Sequence, residues 1–441
     1  MSDLKNLEPV KEAFELLQEG EFEAVLVLAE RHGGDGQSRT TWLNLLGASY
    51  RALGELEKAA DSFRALVSLS PQNPEAHNNL AIVLKGLNYY EEANSAFREA
   101  ISLDPGNAAF HYNLGNLFFE ENKLLDAANA FDRAEKLKSD YQEAIFNKGL
   151  VLQKLGAFEE AILALQRVLS IHPGRLDALN SLGNVLVESG QLERAVEAYD
   201  AAILMDPEFV AGLYNRGLAL HKMGLLQLAK SSFERVLSIQ PAHAEAWNDL
   251  GSIFFDQNDD VSAAKAYEES IAQDPSKADA RFNLSLVRLR QEELREGFEL
   301  FEWRWKAPCF SEKELVTEKP RWRKSMSTAR VFLWSEQGIG DELMLASMIP
   351  DLFQKVSALI VECDQRLIPL FERSFPKEIR FVPRGGSVKE EEYDAHIPIG
   401  SLPRLFRPTL ESFERAYSSF HLAPDAQRVS SLKKLLKDNL E

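Results

Sequence analysis

Carboxylates gather around one short stretch of this 441-residue sequence. In WSEQGIGDEL (334–343) an apolar run meets a loop with glycines at 338 and 340, and Glu336, Gln337, Asp341 and Glu342 lie in or beside it. A carboxylate beside an acceptor hydroxyl can take the proton as that oxygen attacks an electrophilic centre, and Asp341 directly follows the glycines. The same side chain suits the N-cap of a helix equally well. Gly338 and Gly340 let the backbone bend and present amides at the positive end of the next helix, where anions settle. The G-x-G-D pattern alone is unspecific. It lacks the third glycine and distant acidic residue of a dinucleotide fingerprint, and it has no P-loop lysine. Glu362, Asp364 and Arg366 follow the next apolar run, and Arg404 and Arg407 come later as candidate partners for an anion. His396 reads as a packed strand residue.

Strands and helices must alternate to hold these groups. ARVFLWSE (329–336), SALIVECD (357–364), IRFVP (379–383) and DAHIPIG (394–400) read as strands, with DELMLASMIPDLF and QRLIPLFERSF as helices between them. That alternation implies a parallel sheet, with ligands at the carboxyl ends of its strands.

Before residue 307 the grammar is different. Gly47, Ala81, Gly115, Gly149, Gly183, Gly217, Gly251 and Ser285 are spaced 34 apart. Twelve residues after each stands Ala59, Ala93, Ala127, Ala161, Ala195, Ala229, Ala263 or Gly297. Sixteen after each comes a large apolar residue, from Phe63 to Phe301, and prolines close most units. Small residues let antiparallel helices approach, the large one fills the gap, and proline ends the pair. This period and pattern resemble the tetratricopeptide repeat, with WNDLGSIF (247–254) following its signature. Counting a degenerate first unit around Ala13, Gly20 and Val25, about nine helical pairs are expected over residues 6–306. The resemblance implies a solenoid whose inner face binds rather than catalyses.

One column of that array bears on binding. Asn79, Asn113, Asn147, Asn215 and Asn283 recur two residues before the small position, interrupted by Ser181 and Asp249. In this repeat family the position faces inward. A carboxamide offers one acceptor and two donors, which suits an extended peptide backbone of any sequence, although asparagine is also common there for other reasons. His77 and His111 fall where the repeat carries a packing ring, and no metal-binding spacing accompanies them.

Composition bounds the rest. Residues 307–441 hold 20 acidic and 20 basic side chains, so residues 1–306 carry the entire net charge of −18. An acidic array disfavours nucleic acid and anionic lipid and favours neutral or basic polypeptides. No apolar run spans a membrane and no leader is recognisable, so a cytoplasmic protein without membrane insertion is expected. Two cysteines, Cys309 and Cys363, furnish neither a disulfide framework nor a zinc site.

GFELFEWRW (297–305), KPRW (319–322), WSEQGIGDELMLASMIPDL, VECDQRLIPLFERSFP and IPIGSLPRLF together resemble bacterial proteins that join tetratricopeptide arrays to a glycosyltransferase-like domain. That domain is of the two-Rossmann type, related to heptosyltransferases and O-linked N-acetylglucosamine transferases. The resemblance implies a repeat solenoid over 1–306, a linker over 307–329, and over 330–441 a Rossmann-like half of that domain, on the acceptor side. It implies Asp341 as base and the asparagine column as the holder of polypeptide clients. Roughly 110 residues after the linker hold only one half, so no cofactor site is expected in this chain. A sugar nucleotide would enter with a separate donor-binding domain. A non-catalytic polypeptide-binding scaffold is the competing expectation, and enzymatic activity stays open between the two. Trp303 and Trp305 should give the last repeat a second apolar side that packs on the following domain.

Overall fold

The computed structural model describes residues 7–32, 38–417 and 422–438. The chain divides into two compact units, Met1–Met223 and Gly224–Glu441. The first consists of helical pairs. Leu7–Glu19 is followed by Phe22–His32 and Arg39–Ala52 by Leu56–Leu69, and the spacing persists to Leu192–Met205, with the single helix Val210–Lys222 closing the unit. The second opens on the helix Leu226–Ile239 and continues with Ala244–Asp256, Asp260–Gln273, Ala278–Arg290 and Leu294–Phe301.

The small column does what its residue types require. Ala59, Ala93, Ala127, Ala161, Ala195, Ala229 and Ala263 are all fully buried. A Cβ on Gly183 would lie 2.3 Å from the ring of Tyr199, and one on Gly251 2.7 Å from that of Tyr267. The facing aromatic therefore sits where a side chain would have been. A second column shows in the backbone. Gly20, Gly54, Asn88, Asn122, Gly156, Gly190, Gly224, Asn258 and Glu292 are 34 apart and all have φ between 59° and 84°. This left-handed residue ends each first helix and starts the turn to the second. Glycine takes the conformation without strain and asparagine tolerates it, so Glu292 is the strained member.

After Phe301 the helix tightens into a short 3-10 turn, Glu302–Lys306. Four strands follow: β1 (Arg330–Trp334), β2 (Ala358–Cys363), β3 (Arg380–Pro383) and β4 (Ala395–Pro398). They pair in parallel in the order β3-β2-β1-β4. Side chains alternate between two apolar layers, as the pleat dictates. Val331, Leu333, Leu359, Val361 and Ile397 face one core, which includes Ile349 and Phe371 from the helices Ile349–Phe353 and Ile368–Ser374. Phe332, Trp334, Ile360 and Val382 face the other, where Trp305 of the 3-10 turn and Leu315 pack.

The segment 307–329, expected as a linker, is bound to the sheet over its second half. Trp322 is 3% exposed within the first core. Its amide donates to the His396 carbonyl at 2.8 Å, and the His396 amide donates to the Pro320 carbonyl at 3.1 Å. Arg321 thus forms a bridge beside β4 and screens that edge of the sheet. Among the described residues, no helix is long and apolar enough to cross a membrane.

Candidate functional site

Two regions hold the residues that the sequence marks for chemistry or binding. The first is the carboxyl edge of the sheet. From β1 the chain moves to β2 and β3 on one side and returns to β4 on the other, so the crevice where open parallel sheets receive ligands lies between the ends of β1 and β4. Arg304 occupies it. Its guanidinium donates to both carboxylate oxygens of Glu336 at 2.8 Å. It also donates to Ser401 Oγ at 3.2 Å, to the Phe301 carbonyl at 3.1 Å and to Glu302 at 3.4 Å. Glu336 in turn accepts the Gly400 amide at 2.8 Å. Both charged side chains are fully buried.

The remaining carboxylates at this edge hold loop amides. Glu362 accepts from the Ser335 amide and from the Gly385 amide, each at 3.0 Å, tying β2 to the loops after β1 and β3. Glu342 is buried and accepts from the Asp364 amide at 2.7 Å, and its burial raises its pKa above the ordinary carboxylate range. Asp364 faces Arg366 in an exposed pair that pulls its pKa down to about 2. Arg407 is buried against Asp351 at 2.6 Å, so it offers no free cation, whereas Arg404 is exposed. Burial pushes the Cys363 thiol up to about 12.

Asp341 lies in the first turn of the helix Ile339–Leu345, and its Oδ2 accepts the Gly338 amide at 3.1 Å. Neither glycine of the loop has a left-handed backbone. The bend falls on Gln337, at φ 65°, whose carbonyl receives the Arg384 guanidinium at 2.6 Å. A Cβ on Gly340 would meet nothing within 4 Å, so the fold's own packing does not demand glycine there. His396 is buried in β4, its Nδ1 accepting the Trp334 indole N–H at 3.0 Å, and burial lowers its pKa.

The second region is the asparagine column. Asn79 donates to Asn44, Asn113 to Asn78, Asn215 to Asn180 and Asn283 to Asn248, each 35 residues back, at 2.9–3.3 Å. Asn147 reaches the Tyr112 hydroxyl at 3.4 Å and Asn116 at 2.9 Å. Each column amide therefore already links its helix to the preceding first helix, while its carbonyl oxygen remains for other partners. Ser181, where the column breaks, stands 35 residues after Phe146, whose side chain has no acceptor. His77, His111 and Trp247 share a different structural task. The ring nitrogens of all three meet the carbonyl of the proline six residues earlier, at 2.8, 3.2 and 2.9 Å.

Sequence reasoning missed Arg304, although a charge between two tryptophans in EWRW signals a buried ion pair. It also missed the partner asparagines, Asn44, Asn78, Asn180 and Asn248, which the paired Asn78-Asn79 and the 35-residue offset could have disclosed. Trp305 packs on the sheet as expected, its ring 5.2 Å from that of Trp334. Trp303 instead lies under the Arg281 guanidinium, 4.3 Å away.

Comparison with known proteins places the repeats. A TPR repeat model matches residues 47–88 and 183–224, and a tetratricopeptide repeat model matches 78–141, 114–175, 222–278 and 262–302. Protein FlbA of Caulobacter vibrioides is 27% identical over a match that covers 44% of this chain and 41% of FlbA, so the chain spans about two-fifths of that relative. Among solved structures, YrrB, described as a TPR protein with an unusual peptide-binding site, aligns at 25% identity and TM-score 0.37, over 42% of this chain and 95% of its own. The C-terminal part of a TPR repeat-containing protein from Cytophaga hutchinsonii aligns at 17% identity and TM-score 0.48, over 56% of this chain and 99% of its own.

Proposed function

We propose, from the premise that this chain is a tetratricopeptide-repeat protein, that it serves as a scaffold holding extended polypeptide clients on the face formed by its first helices. The asparagine column carries this reading. Each of its amides is fixed by the preceding repeat, which pre-orients a carbonyl oxygen and lowers the ordering cost of binding a peptide backbone. The test is calorimetric titration with extended peptides selected from a random library. Asn79→Ala, Asn113→Ala and Asn147→Ala combined should weaken binding by around a hundredfold, at about 1 kcal/mol for each lost hydrogen bond. Because these amides also join neighbouring helices, the triple variant should melt earlier. Asn44→Ala with Asn78→Ala, which removes acceptors but no column residue, controls for that loss. Unchanged affinity in the triple variant would refute the reading.

A second reading rests on the glycine loop at the end of the central strand. It takes the α/β portion as the acceptor-side half of a sugar-transferring enzyme, with Asp341 taking the acceptor's proton and the amides after Gly338 and Gly340 orienting the acceptor. A sugar nucleotide fits poorly beside β1 and β4, because Arg304 fills that crevice and its five N–H groups are all engaged. A separate donor-binding domain would have to hold it. Radiolabel transfer from nucleotide sugars, lost on Asp341→Asn, would support this reading. Equal transfer by the variant would discard Asp341 as base.

A further inference from the structure

The first-helix face of the unit ending at Met223 contains a cavity of about 230 Å³ whose lining includes Gln153, Asn184, Val187, Asn215, Leu218 and Lys222. It lies against the helix Leu176–Glu188, whose column position is Ser181, where the run of column asparagines is broken. Leu218 is 39% exposed there, while Ala219 and Leu220 beside it are buried, so the fold itself does not require an aliphatic side chain at this position.

The polar groups of the cavity have defined valences. Asn215 donates one N–H to Asn180 at 2.9 Å and the other to Asn184 at 3.1 Å, which leaves its carbonyl oxygen to offer. Asn184 Oδ1 receives that bond and the Tyr199 hydroxyl at 2.7 Å, which leaves its amide hydrogens. One acceptor and one donor thus stand on adjacent first helices beside an apolar floor of Val187 and Leu218. An extended chain offers the complement, a backbone N–H and C=O flanking one side chain.

We infer that this groove is an anchor pocket for a polypeptide segment carrying one aliphatic residue, leucine, isoleucine or methionine. Asn184 donates to its backbone carbonyl and Asn215 accepts from its backbone N–H. The inference rests on the scaffold reading and narrows it to one location and one class of anchor. Asn184→Asp is the discriminating variant. It keeps the oxygen that receives Tyr199 and Asn215 and turns the donor into a charged acceptor, which repels a backbone carbonyl. Leu218→Arg, at an exposed position, fills the floor.

Linear dodecapeptides selected from a random phage library against the full chain are the probe, with affinity read by fluorescence polarisation. Selected peptides should share an aliphatic position whose replacement by serine abolishes binding. Asn184→Asp should weaken the best of them at least tenfold without lowering the melting temperature, and Leu218→Arg should weaken it further. If peptides bind but neither variant shifts affinity more than twofold, the anchor assignment is overturned and the scaffold reading stands. If the library yields no binder, both fall. If the chain self-associates and Leu218→Arg returns it to a monomer without affecting peptide affinity, the groove is a contact between copies and the inference is likewise overturned.

Discussion

Arg304 and Glu336 form a two-pronged, fully buried ion pair that fastens the turn after the last repeat helix to the end of the central strand. The Gly400 amide and the Ser401 hydroxyl complete it. A buried charge pair is a weak source of net stability, but losing one partner strands the other in a low dielectric.

Arg304→Met should therefore destabilise the α/β portion by about 3–5 kcal/mol, and Arg304→Met with Glu336→Leu should recover most of that loss. Urea unfolding followed by tryptophan fluorescence would measure both. A double variant no more stable than the single one would show that the pair is not the main link.

Gly183→Ala should cost about 1–3 kcal/mol through overpacking, despite a gain of about 1 kcal/mol in helix propensity. The new methyl would stand 2.3 Å from the Tyr199 ring, and the bond from the Tyr199 hydroxyl to Asn184 hinders its retreat. Releasing that bond with Tyr199→Phe should restore part of the loss in a thermal melt.

Glu292→Gly should stabilise the second unit by about 1 kcal/mol, because Glu292 occupies at φ 63° the turn position that glycine or asparagine takes in every other repeat. Gly190→Ala, at φ 82°, should move the melting temperature in the opposite direction. The same sign for both substitutions would contradict the argument from strain.

His396 should make the α/β portion sensitive to acid. Burial holds its folded pKa below the ordinary 6.5, and Arg321 adds to the shift. The unfolded chain therefore binds more protons, so stability is full above the unfolded pKa and declines as pH falls below it. Protonation also removes the acceptor for the Trp334 indole. His396→Gln keeps an acceptor that does not titrate and should flatten the decline between about pH 7 and pH 5. Parallel pH profiles of the urea midpoint for variant and wild type would exclude His396 as the source.

The repeats were legible because their signals are local and redundant, with each small residue meeting its large partner sixteen positions on in unit after unit. The strands were legible from apolar runs bounded by loops. Other features depend on contacts that composition does not display. Arg304 reads as a surface charge until Glu336, 32 residues away, is placed beside it. Trp322 sits among the charges of EKPRWRK, yet it enters the sheet's core. The loop's left-handed residue is Gln337 rather than either glycine, and its carbonyl receives the guanidinium of Arg384, 47 residues away. The column asparagines were visible, but their partners lie 35 residues back, one position off the repeat period, where a search in register does not look.

That offset bears on how such a chain can change length. The left-handed turn residue recurs every 34 positions, and the asparagine links join one repeat to the next. A duplication or loss of 34 residues keeps each small residue opposite the large apolar residue sixteen positions on, and it keeps a column hydrogen bond where the position 35 residues back carries an acceptor. An indel of one or two residues inside a helix rotates its apolar face by about 100° per residue. Lengthening by whole repeats therefore preserves the packing of the array, while the turn that carries Arg304 can follow only the last repeat.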